Sequence, residues 1–477
     1  MNHSTHIPFW LILASVLCVL ILPRVVQDGM FMDGLLYACV SKNLSDGIGT
    51  FWFPHFSKTM HHFFNQQPPL GFGIQSVFFR IFGDSIYVER FYSFLTCIIA
   101  AYLIIVLWRI LFRDEKEIKQ IAWLPVLLWI TIPICFWTYS NNMLENTMTI
   151  FDLLSVIFII KFFHRKNLLL LLFAGIFIFL ASLTKGFQGM FPLCTIFFGW
   201  IIYRNFSFLK MILYSLMLMS VPALIYFFLL TDEKIFESIT SYIQHRVIYS
   251  IETQTTVENH LYLIYRLFCI ELLPCILFAV LLIIFTSKKI QKKEKNSFLQ
   301  IKKHFFFFLL VGISASVPLI VTLEQRGFYL VTSFPYYAIA LASLISPNII
   351  FLLQKIHVEN FYFRFFKIVS IFLLVSVIIY SSFQIGKVGR DKEMIHDIHL
   401  IGKIVPHGTK IGSTAELWQE WSLQEYLIRH YYICTDSKIS SDNEYVILES
   451  TKNILDSIKF EKVNQPTIKY HLYKIVK

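Results

Sequence analysis

The sequence predicts an all-α protein that crosses a membrane roughly eleven times and ends in a small α/β domain. Hydrophobic residues make up 56% of the 477 residues and charged residues only 15%, whereas a soluble protein of this length carries far more charge. The mean hydropathy is +0.61. Apolar runs of about 20 residues, each long enough to span a bilayer as a helix, recur along the chain.

The apolar runs give the order of the predicted membrane helices. They lie at about residues 7–22, 86–112, 121–139, 147–163, 168–183, 190–203, 211–230, 261–286, 305–323, 328–345 and 368–385. Residues 349–367 fit no clear class, and we interpret them as an interfacial helix on the inner face.

The first connecting segment, residues 28–84, is too polar to cross a bilayer and too apolar and aromatic for a simple linker. Residues 35–44 and 70–82 have the apolar spacing of short amphipathic helices, which we expect at the membrane interface. Pro68-Pro69 is interpreted as a rigid turn before the second of these helices.

Basic residues predict the orientation of the chain, because Lys and Arg concentrate in cytoplasmic loops. With the amino terminus inside, the basic loops all fall inside, at residues 113–120, 161–167, 204–210, 287–303 and 355–367. The opposite loops then face outward, at residues 28–84, 140–147, 184–188, 231–260 and 324–327. The net charge of +11 thus reflects orientation rather than nucleic-acid binding.

Residues 387–477 are more charged and contain no further apolar run, so the predicted domains are 1–386 in the membrane and 387–477 outside it. Helices are expected at 394–404 and 417–430. Strands are expected at 410–413, 444–448 and 467–476. The eight cysteines form no CxxC pair, so no disulfide framework and no zinc knuckle is predicted.

Two outer acids lie at the ends of membrane helices. Asp33 follows the first helix and Glu145 precedes the fourth, so both are expected on the same membrane face. In that arrangement one carboxylate can accept a proton from an attacking hydroxyl. Each has a simpler interpretation as a helix-capping residue. Lys185 and Arg326 also lie at outer helix ends, where they could bind an anion or merely extend to the interface. His61-His62 has no metal-ligand spacing and is interpreted as interfacial.

Five short motifs resemble the membrane glycosyltransferases of the C-type fold. The motifs are Asp33-Gly34-Leu35-Leu36-Tyr37, Gln67-Pro68-Pro69-Leu70, Phe82-Gly83 with Glu89-Arg90-Phe91, Thr184-Lys185-Gly186, and Arg326-Gly327-Phe328-Tyr329 with Pro335, and Glu145 matches the acid that opens the fourth helix. In their order and spacing they are similar to those of protein O-mannosyltransferases and bacterial 4-amino-4-deoxy-L-arabinose lipid A transferases. The resemblance covers roughly residues 5–345. Gln67 departs from the usual Lys or His, and Glu145 from the usual Asp.

The resemblance implies an inverting glycosyltransferase that moves a sugar from a polyprenyl-phosphate donor to a lipid, glycan or protein acceptor. Asp33 would be the base, supported by Glu145. Lys185, Arg326 and Arg246 would hold the donor phosphate. The substrate cavity would include Tyr37, His61, His62, Gln67 and His245. No cofactor is predicted, and the involvement of a divalent cation stays open.

The expected location is the bacterial inner membrane, with the site facing the periplasm. Two alternatives remain. A transporter or flippase of lipid-linked glycans would require charges at mid-membrane and paired broken helices. A non-catalytic assembly protein would tolerate neutral replacement of Asp33.

Overall fold

The structure, a computed structural model, describes residues 5–252, 254–287, 295–440, 442–449 and 459–476. It is mainly helical, with a small sheet near the carboxyl terminus. The helices are α1 (Ile7–Val25), α2 (Met32–Ser45), α3 (Leu70–Phe82), α4 (Tyr87–Leu111), α5 (Lys116–Gln120), α6 (Trp123–Ile130), α7 (Pro133–Tyr139), α8 (Leu144–Arg165), α9 (Leu169–Lys185), α10 (Thr195–Tyr203), α11 (Phe208–Leu229), α12 (Glu233–Tyr242), α13 (Tyr249–Glu252), α14 (Tyr262–Arg266), α15 (Leu273–Ser287), α16 (Lys295–Ser316), α17 (Phe334–Gln354), α18 (Phe361–Ser382), α19 (Lys392–Gly402), α20 (Ala415–Trp418) and α21 (Trp421–Tyr431).

The chain is a multi-pass membrane protein. Within the described ranges, eight helical runs are long and apolar enough to cross a membrane, and a bent pair adds a ninth. The total of eleven stays a prediction. One of the eight runs, Leu169–Tyr203, reverses direction at Gly186, which has φ +76°. On one continuous helix, residues eight positions apart are separated by about 12 Å. A Cβ on Gly189 would instead meet the backbone of Ala181 at 2.6 Å, because the chain after Gly186 packs back against α9.

Several predicted segments differ from the observed ones. The third apolar run is broken into α6 and α7, because Pro133 cannot continue the preceding helix. The eighth run bends by 48° between Glu271 and Leu273, next to Pro274. Residues 231–260, expected as a polar loop, contain α12, α13 and a π-helical stretch, Ile243–Ile248.

The prediction of an interfacial helix at residues 349–367 is wrong. Residues up to Gln354 continue α17, and α18 begins at Phe361 after a short turn. Asn360 caps α18 by accepting a hydrogen bond from the Tyr362 backbone, so the helix starts earlier than its apolar run suggests.

The basic segments meet at one end of the helical bundle. His6 and Gln120 are hydrogen-bonded at 3.1 Å, the Phe9 and Phe366 rings are in contact, and Tyr203 bonds His304 at 2.8 Å. This arrangement agrees with the alternation predicted from charge. Most of the predicted basic cluster at 287–303 lies outside the described residues, namely 288–294.

The carboxyl-terminal region folds as a five-stranded sheet with α19, α20 and α21. The strands are β1 (Lys410–Ser413), β2 (Cys434–Asp436), β3 (Tyr445–Leu448), β4 (Phe460–Lys462) and β5 (His471–Ile475), in the order β2-β1-β3-β5-β4. The β1 strand is parallel to β2 and β3, whereas β5 is antiparallel to β3 and β4. The domain boundary at residue 387 remains a prediction.

Charged side chains attach this sheet region to the bundle. Arg429 donates to Glu89 at 2.9 Å and to Asp84 at 2.7 Å, and both Arg429 and Glu89 are buried. The Tyr426 hydroxyl accepts a hydrogen bond from the Met30 backbone at 2.9 Å. Helix α2 lies beneath α21 and is buried along most of its length rather than lying open at an interface.

Candidate functional site

The first turn of α2 is docked on the turn that precedes α8. Asn142 donates to the Gly34 carbonyl at 3.0 Å, and Asn141 accepts from the Phe31 backbone at 2.9 Å. A Cβ on Gly34 would lie 1.8 Å from the Asn141 carbonyl oxygen. Only glycine permits this approach, and the approach brings the starts of α2 and α8, with Asp33 and Glu145, to one place.

A buried ion pair joins α8 to α9. The Lys185 Nζ lies 2.5 Å from the Glu145 Oε1, and the two side chains are 6% and 0% exposed. Paired charges can be buried here because each offsets the lost hydration of the other. Lys185 occupies the last turn of α9, and Glu145 the first turn of α8, where the helix dipole favours each charge.

Aromatic rings surround the Lys185 ammonium. Its Nζ lies 5.9 Å from the ring centre of Tyr37, 5.7 Å from that of Phe328 and 5.4 Å from that of Tyr329. Rings at this distance stabilise a cation through their negative faces. The arrangement links the Asp33–Tyr37, Thr184–Gly186 and Arg326–Tyr329 motifs, which are far apart in the sequence.

Asp33 is half-buried, and no described residue forms a hydrogen bond or ion pair with its carboxylate. Burial raises the pKa of this carboxyl above its ordinary value, and the nearby charges of Lys185, Arg326 and Arg246 lower it only in part. A carboxylate with a raised pKa is a stronger base than a solvated one. Asp33 therefore has the environment of a proton acceptor.

Arg246 forms a second ion pair beside this cluster. Its Nη2 donates to the Glu324 Oε1 at 2.5 Å, and its Nη1 donates to Gln254 at 2.9 Å. The Tyr329 hydroxyl donates to the same Glu324 oxygen at 3.2 Å. The Arg246 Nη2 also donates to the Tyr329 hydroxyl at 3.4 Å, so three residues hold the guanidinium. Tyr329 and Glu324 raise the pKa of Arg246 despite its burial.

Arg326 differs from the other two cations. It precedes the 3₁₀ segment Gly327–Ser333, its side chain is exposed, and it pairs with no carboxylate in the part of the chain that is described. It lies close enough to lower the pKa of Asp33. Arg326 is therefore a cation near Asp33 that has no described acidic partner.

A mostly apolar cavity of about 210 Å³ adjoins the cluster. It lies between residues 52–69 of the first outer segment, the end of α9, α11 and α12. Gln67, Pro68 and Pro69 line it, as do Gly186, next to Lys185, and Tyr242. Gly186 has φ +76°, a conformation that favours glycine, and a Cβ there would lie 2.1 Å from the Tyr242 hydroxyl.

The predicted cavity histidines have other neighbours. The His61 ring stacks on Trp421 of α21, with 5.5 Å between ring centres. The His62 carbonyl oxygen bonds the His55 ring at 2.7 Å. His245 is exposed and bonds its own helix at the Ser241 carbonyl. Neither His61, His62 nor His245 forms a described contact with Asp33, Glu145 or Lys185.

Sequence reasoning gave no role to two residues of this cluster, Glu324 and Tyr329. Both lie beside Arg326, in the turn already singled out, but their partner Arg246 comes from a distant helix. Sequence reasoning also missed Glu425 of α21. This carboxyl is fully buried, and its two oxygens have no hydrogen-bond partner among the described residues. Burial and the nearby charges of Asp33 and Asp391 raise the pKa of Glu425 well above its usual range.

Among the residues that the structure describes, metal-ligating groups do not converge on Asp33. In the described ranges, the only group of three or more His, Cys, Asp or Glu side chains with converging donor atoms is Asp28, His399 and His430. The involvement of a cation at the Asp33 cluster therefore stays open.

Comparison with known proteins relates the chain to lipid-dependent transferases. Residues 66–230 match the model of the dolichyl-phosphate-mannose-protein mannosyltransferase family. No curated protein matches the sequence.

Solved structures extend the likeness to nearly the whole chain. ArnT from Cupriavidus metallidurans bound to undecaprenyl phosphate aligns with a TM-score of 0.62 and 12% identity, over 97% of this chain and 97% of that chain. Its apo state gives 0.60, with the same identity and coverage. The oligosaccharyltransferase of Archaeoglobus fulgidus gives 0.51 and 14% identity, over 90% of this chain and 62% of that chain.

These similarities confirm the resemblance drawn from the five motifs. At such low identity the solved structures establish the fold, and the family model covers the part that contains Glu145 and Lys185. The chain thus has the C-type fold of the membrane glycosyltransferases that ArnT represents, and the family match indicates a glycosyltransferase.

Proposed function

We propose that this chain transfers a sugar from a polyprenyl-phosphate donor to a lipid, glycan or protein acceptor, with inversion at the anomeric carbon. The observation that carries the proposal is the charge state of the cluster. Lys185 and Arg246 are each paired with an acid, whereas the carboxylate of Asp33 and the cation of Arg326 have no described partner. Such a site offers a base and an anion-binding group side by side.

The chemistry is a single displacement. The acceptor oxygen attacks the anomeric carbon as the bond between that carbon and the donor phosphate oxygen breaks. Asp33 accepts the proton of the acceptor hydroxyl, and its raised pKa suits this role. The polyprenyl phosphate leaves with the bonding electron pair and needs stabilisation of its growing negative charge.

Arg326 supplies most of that stabilisation. Its exposed guanidinium can form two parallel hydrogen bonds to phosphate oxygens. Lys185 and Arg246 act at longer range, because their nearest oxygens belong to Glu145 and Glu324. Glu145 therefore serves Asp33 indirectly, by fixing Lys185.

The apolar cavity supports a lipid-linked donor. It begins beside Gly186 and is lined by apolar side chains of α9, α11 and α12. We place the first isoprene units of the donor there, with the phosphate towards Lys185 and Arg326. The bound undecaprenyl phosphate of Cupriavidus metallidurans ArnT, which has the same fold, supports this choice of donor.

The site is proposed to face the periplasm at the bacterial inner membrane. In support, His6 contacts Gln120 of a basic segment at the start of α1, whereas Asp33 follows the end of that helix, and the positive-inside rule favours a cytoplasmic position for basic segments. The acceptor would then be an outer-leaflet lipid, a glycan or a translocated protein.

A donor titration tests the proposal. Purified chain is assayed with synthetic undecaprenyl-phosphate sugars and with membranes of cells that lack the gene as the acceptor source. We expect Arg326→Ala to weaken donor use by about tenfold or more, since a charge-assisted contact contributes roughly 1.5–3 kcal/mol. Lys185→Ala should also weaken donor use. Arg326→Lys should recover only part of the loss, because lysine keeps the positive charge but lacks the planar guanidinium that forms two parallel hydrogen bonds.

The matched control is Arg80→Ala, an exposed arginine on α3 that forms no ion pair with a described residue. Its donor dependence should equal that of the wild type. The proposal fails if no undecaprenyl-phosphate sugar is consumed, or if Arg326→Ala and Lys185→Ala leave the donor dependence unchanged.

A further inference from the structure

A histidine pair and an acid meet where the first membrane helix joins the carboxyl-terminal region. Asp28 follows α1, His399 lies in α19 and His430 in α21. Their donor atoms all lie within 4.8 Å of one another. The Asp28 Oδ2 is 3.8 Å from the His399 Nε2 and 4.0 Å from the His430 Nε2.

We propose that Asp28, His399 and His430 form a zinc site that fastens the carboxyl-terminal region to the end of the first membrane helix. The three side chains are separate from those assigned to sugar transfer. Two imidazoles and one carboxylate are a donor set that zinc accepts, with a water as the fourth ligand.

Each histidine nitrogen needs to move only a little towards the acid to bind the ion. Ligand atoms on a tetrahedral zinc, with bonds of about 2.0–2.1 Å, lie about 3.4 Å apart. The observed 3.8 and 4.0 Å separations therefore shorten by roughly half an ångström on binding. Rotation of the two imidazole rings can provide this change.

The unpaired nitrogen of His430 is the observation that points to a ligand. The side chain is only 8% exposed, and its Nε2 has no hydrogen-bond partner among the described residues. A buried polar atom without a partner is costly. A histidine nitrogen that has no hydrogen-bond partner is available to bind a metal.

Surrounding groups hold the other two ligands in place. The His399 Nδ1 bonds the Tyr431 hydroxyl at 2.8 Å, which leaves the Nε2 facing Asp28. The Asp28 Oδ1 accepts from the Gly29 backbone at 2.7 Å and from Arg90 at 3.2 Å, which leaves the Oδ2 facing the histidines. Partners of this kind orient metal ligands and strengthen binding.

The backbone also fixes the acid against the linker to the carboxyl-terminal region. Asp28 donates its N–H to the Lys387 carbonyl at 2.8 Å, and its own carbonyl accepts from Gly389 at 2.9 Å. His399 is the open side of the site, with 41% of its side chain exposed. Zinc and its water can therefore enter without unfolding the junction.

Metal analysis of the full chain tests this proposal. The protein is purified in detergent without a polyhistidine tag, exposed to zinc chloride and dialysed against metal-free buffer. We expect about one zinc ion per chain by elemental mass spectrometry. His399→Gln and His430→Gln should each reduce this to background. The control His407→Ala, whose ring touches Tyr431 but is outside the donor set, should retain the ion.

Tyr431→Phe provides a second test, because this substitution leaves all three proposed ligands in place. Loss of its hydrogen bond to His399 should weaken zinc binding by about 10–100-fold in a chelator competition. Zinc should also raise the melting temperature of the wild type and not that of His430→Gln. The proposal is overturned if the wild type retains no zinc, if it takes up copper or nickel but not zinc, or if His430→Gln retains as much zinc as the wild type.

Discussion

The Lys185 ammonium and the Glu145 carboxylate, 40 positions apart in the sequence, lie 2.5 Å from each other in the interior of the bundle. This contact joins the last turn of α9 to the first turn of α8 and holds the two helix ends together at the proposed site. It also means that neither residue acts alone, because a change in one leaves the other as an unpaired buried charge.

This pair predicts a strong coupling between two substitutions. Lys185→Met and Glu145→Gln should each destabilise the fold by about 3–5 kcal/mol, the usual cost of breaking a buried pair. The double variant should lose clearly less than the sum, since no charge is left unpaired. Thermal unfolding of the four proteins in detergent measures the coupling. Additive losses would show that the two side chains do not interact.

The raised pKa of Asp33 predicts an acidic limb in the rate profile. Transfer requires the carboxylate, so kcat/KM should fall about tenfold per pH unit below that pKa. Arg326 lowers the pKa of Asp33, and Arg326→Ala should therefore move the limb to higher pH. The measurement is kcat/KM against pH, with Arg80→Ala as a control whose limb stays in place. A limb that Arg326→Ala leaves unmoved, or moves to lower pH, contradicts the assignment.

Arg429 is predicted to hold the carboxyl-terminal region on the bundle. It donates to Glu89 and Asp84, and it is 2% exposed beside a Glu89 that is 1% exposed. Arg429→Ala leaves the buried Glu89 with only Arg90, at 3.3 Å, so the loss should be smaller than the roughly 3–5 kcal/mol of breaking an isolated buried pair. Limited proteolysis should then release carboxyl-terminal fragments sooner. Arg390→Ala, which breaks an exposed pair with Asp391, is the control. Equal proteolysis of the Arg429 and Arg390 variants would refute the prediction.

The orientation is tested by cysteine labelling in intact cells. With the exposed Cys194 and Cys269 replaced by serine, a membrane-impermeant reagent should label cysteines introduced at Glu237 and Lys403. It should not label one introduced at Lys116. All three positions are exposed, so access to the reagent depends on the side of the membrane. Labelling of position 116 from outside would reverse the orientation and move the site to the cytoplasm.

The sequence predicted the elements well where one periodicity extends over many residues. Strand β1 was predicted at its observed bounds. The helices predicted at 7–22, 86–112, 147–163, 168–183 and 211–230 lie within three residues of α1, α4, α8, α9 and α11. The prediction failed where the local structure depends on contacts with segments that are distant in the sequence. Strands β2 and β4 have three residues each, too few for an alternating pattern. Helix α2 was expected at an interface because its sequence cannot reveal that α21 covers it.

The same limit applies to the site. The motifs indicated Asp33, Glu145, Lys185 and Arg326, and the structure brings these four into one cluster. The pairing of Lys185 with Glu145 was not foreseen, since it depends on how α8 and α9 pack. His61 and His62 were placed in the cavity because the first outer segment was treated as one unit. His61 instead packs against Trp421, more than 300 positions later in the chain.

Asp33 is proposed to be the base of a sugar transfer at the outer face, and this role carries the rest of the mechanism. It is tested most directly by mass spectrometry of outer-surface lipids, glycans and proteins from cells lacking the gene, complemented with the wild type or with Asp33→Asn at matched protein levels. The substitution replaces a carboxylate that makes no described hydrogen bond, so folding should be preserved, whereas loss of a general base costs about 10²–10⁴ in rate. We expect a sugar modification that the wild type restores and Asp33→Asn does not. Restoration by Asp33→Asn to the wild-type level would contradict the assignment of Asp33 as the base.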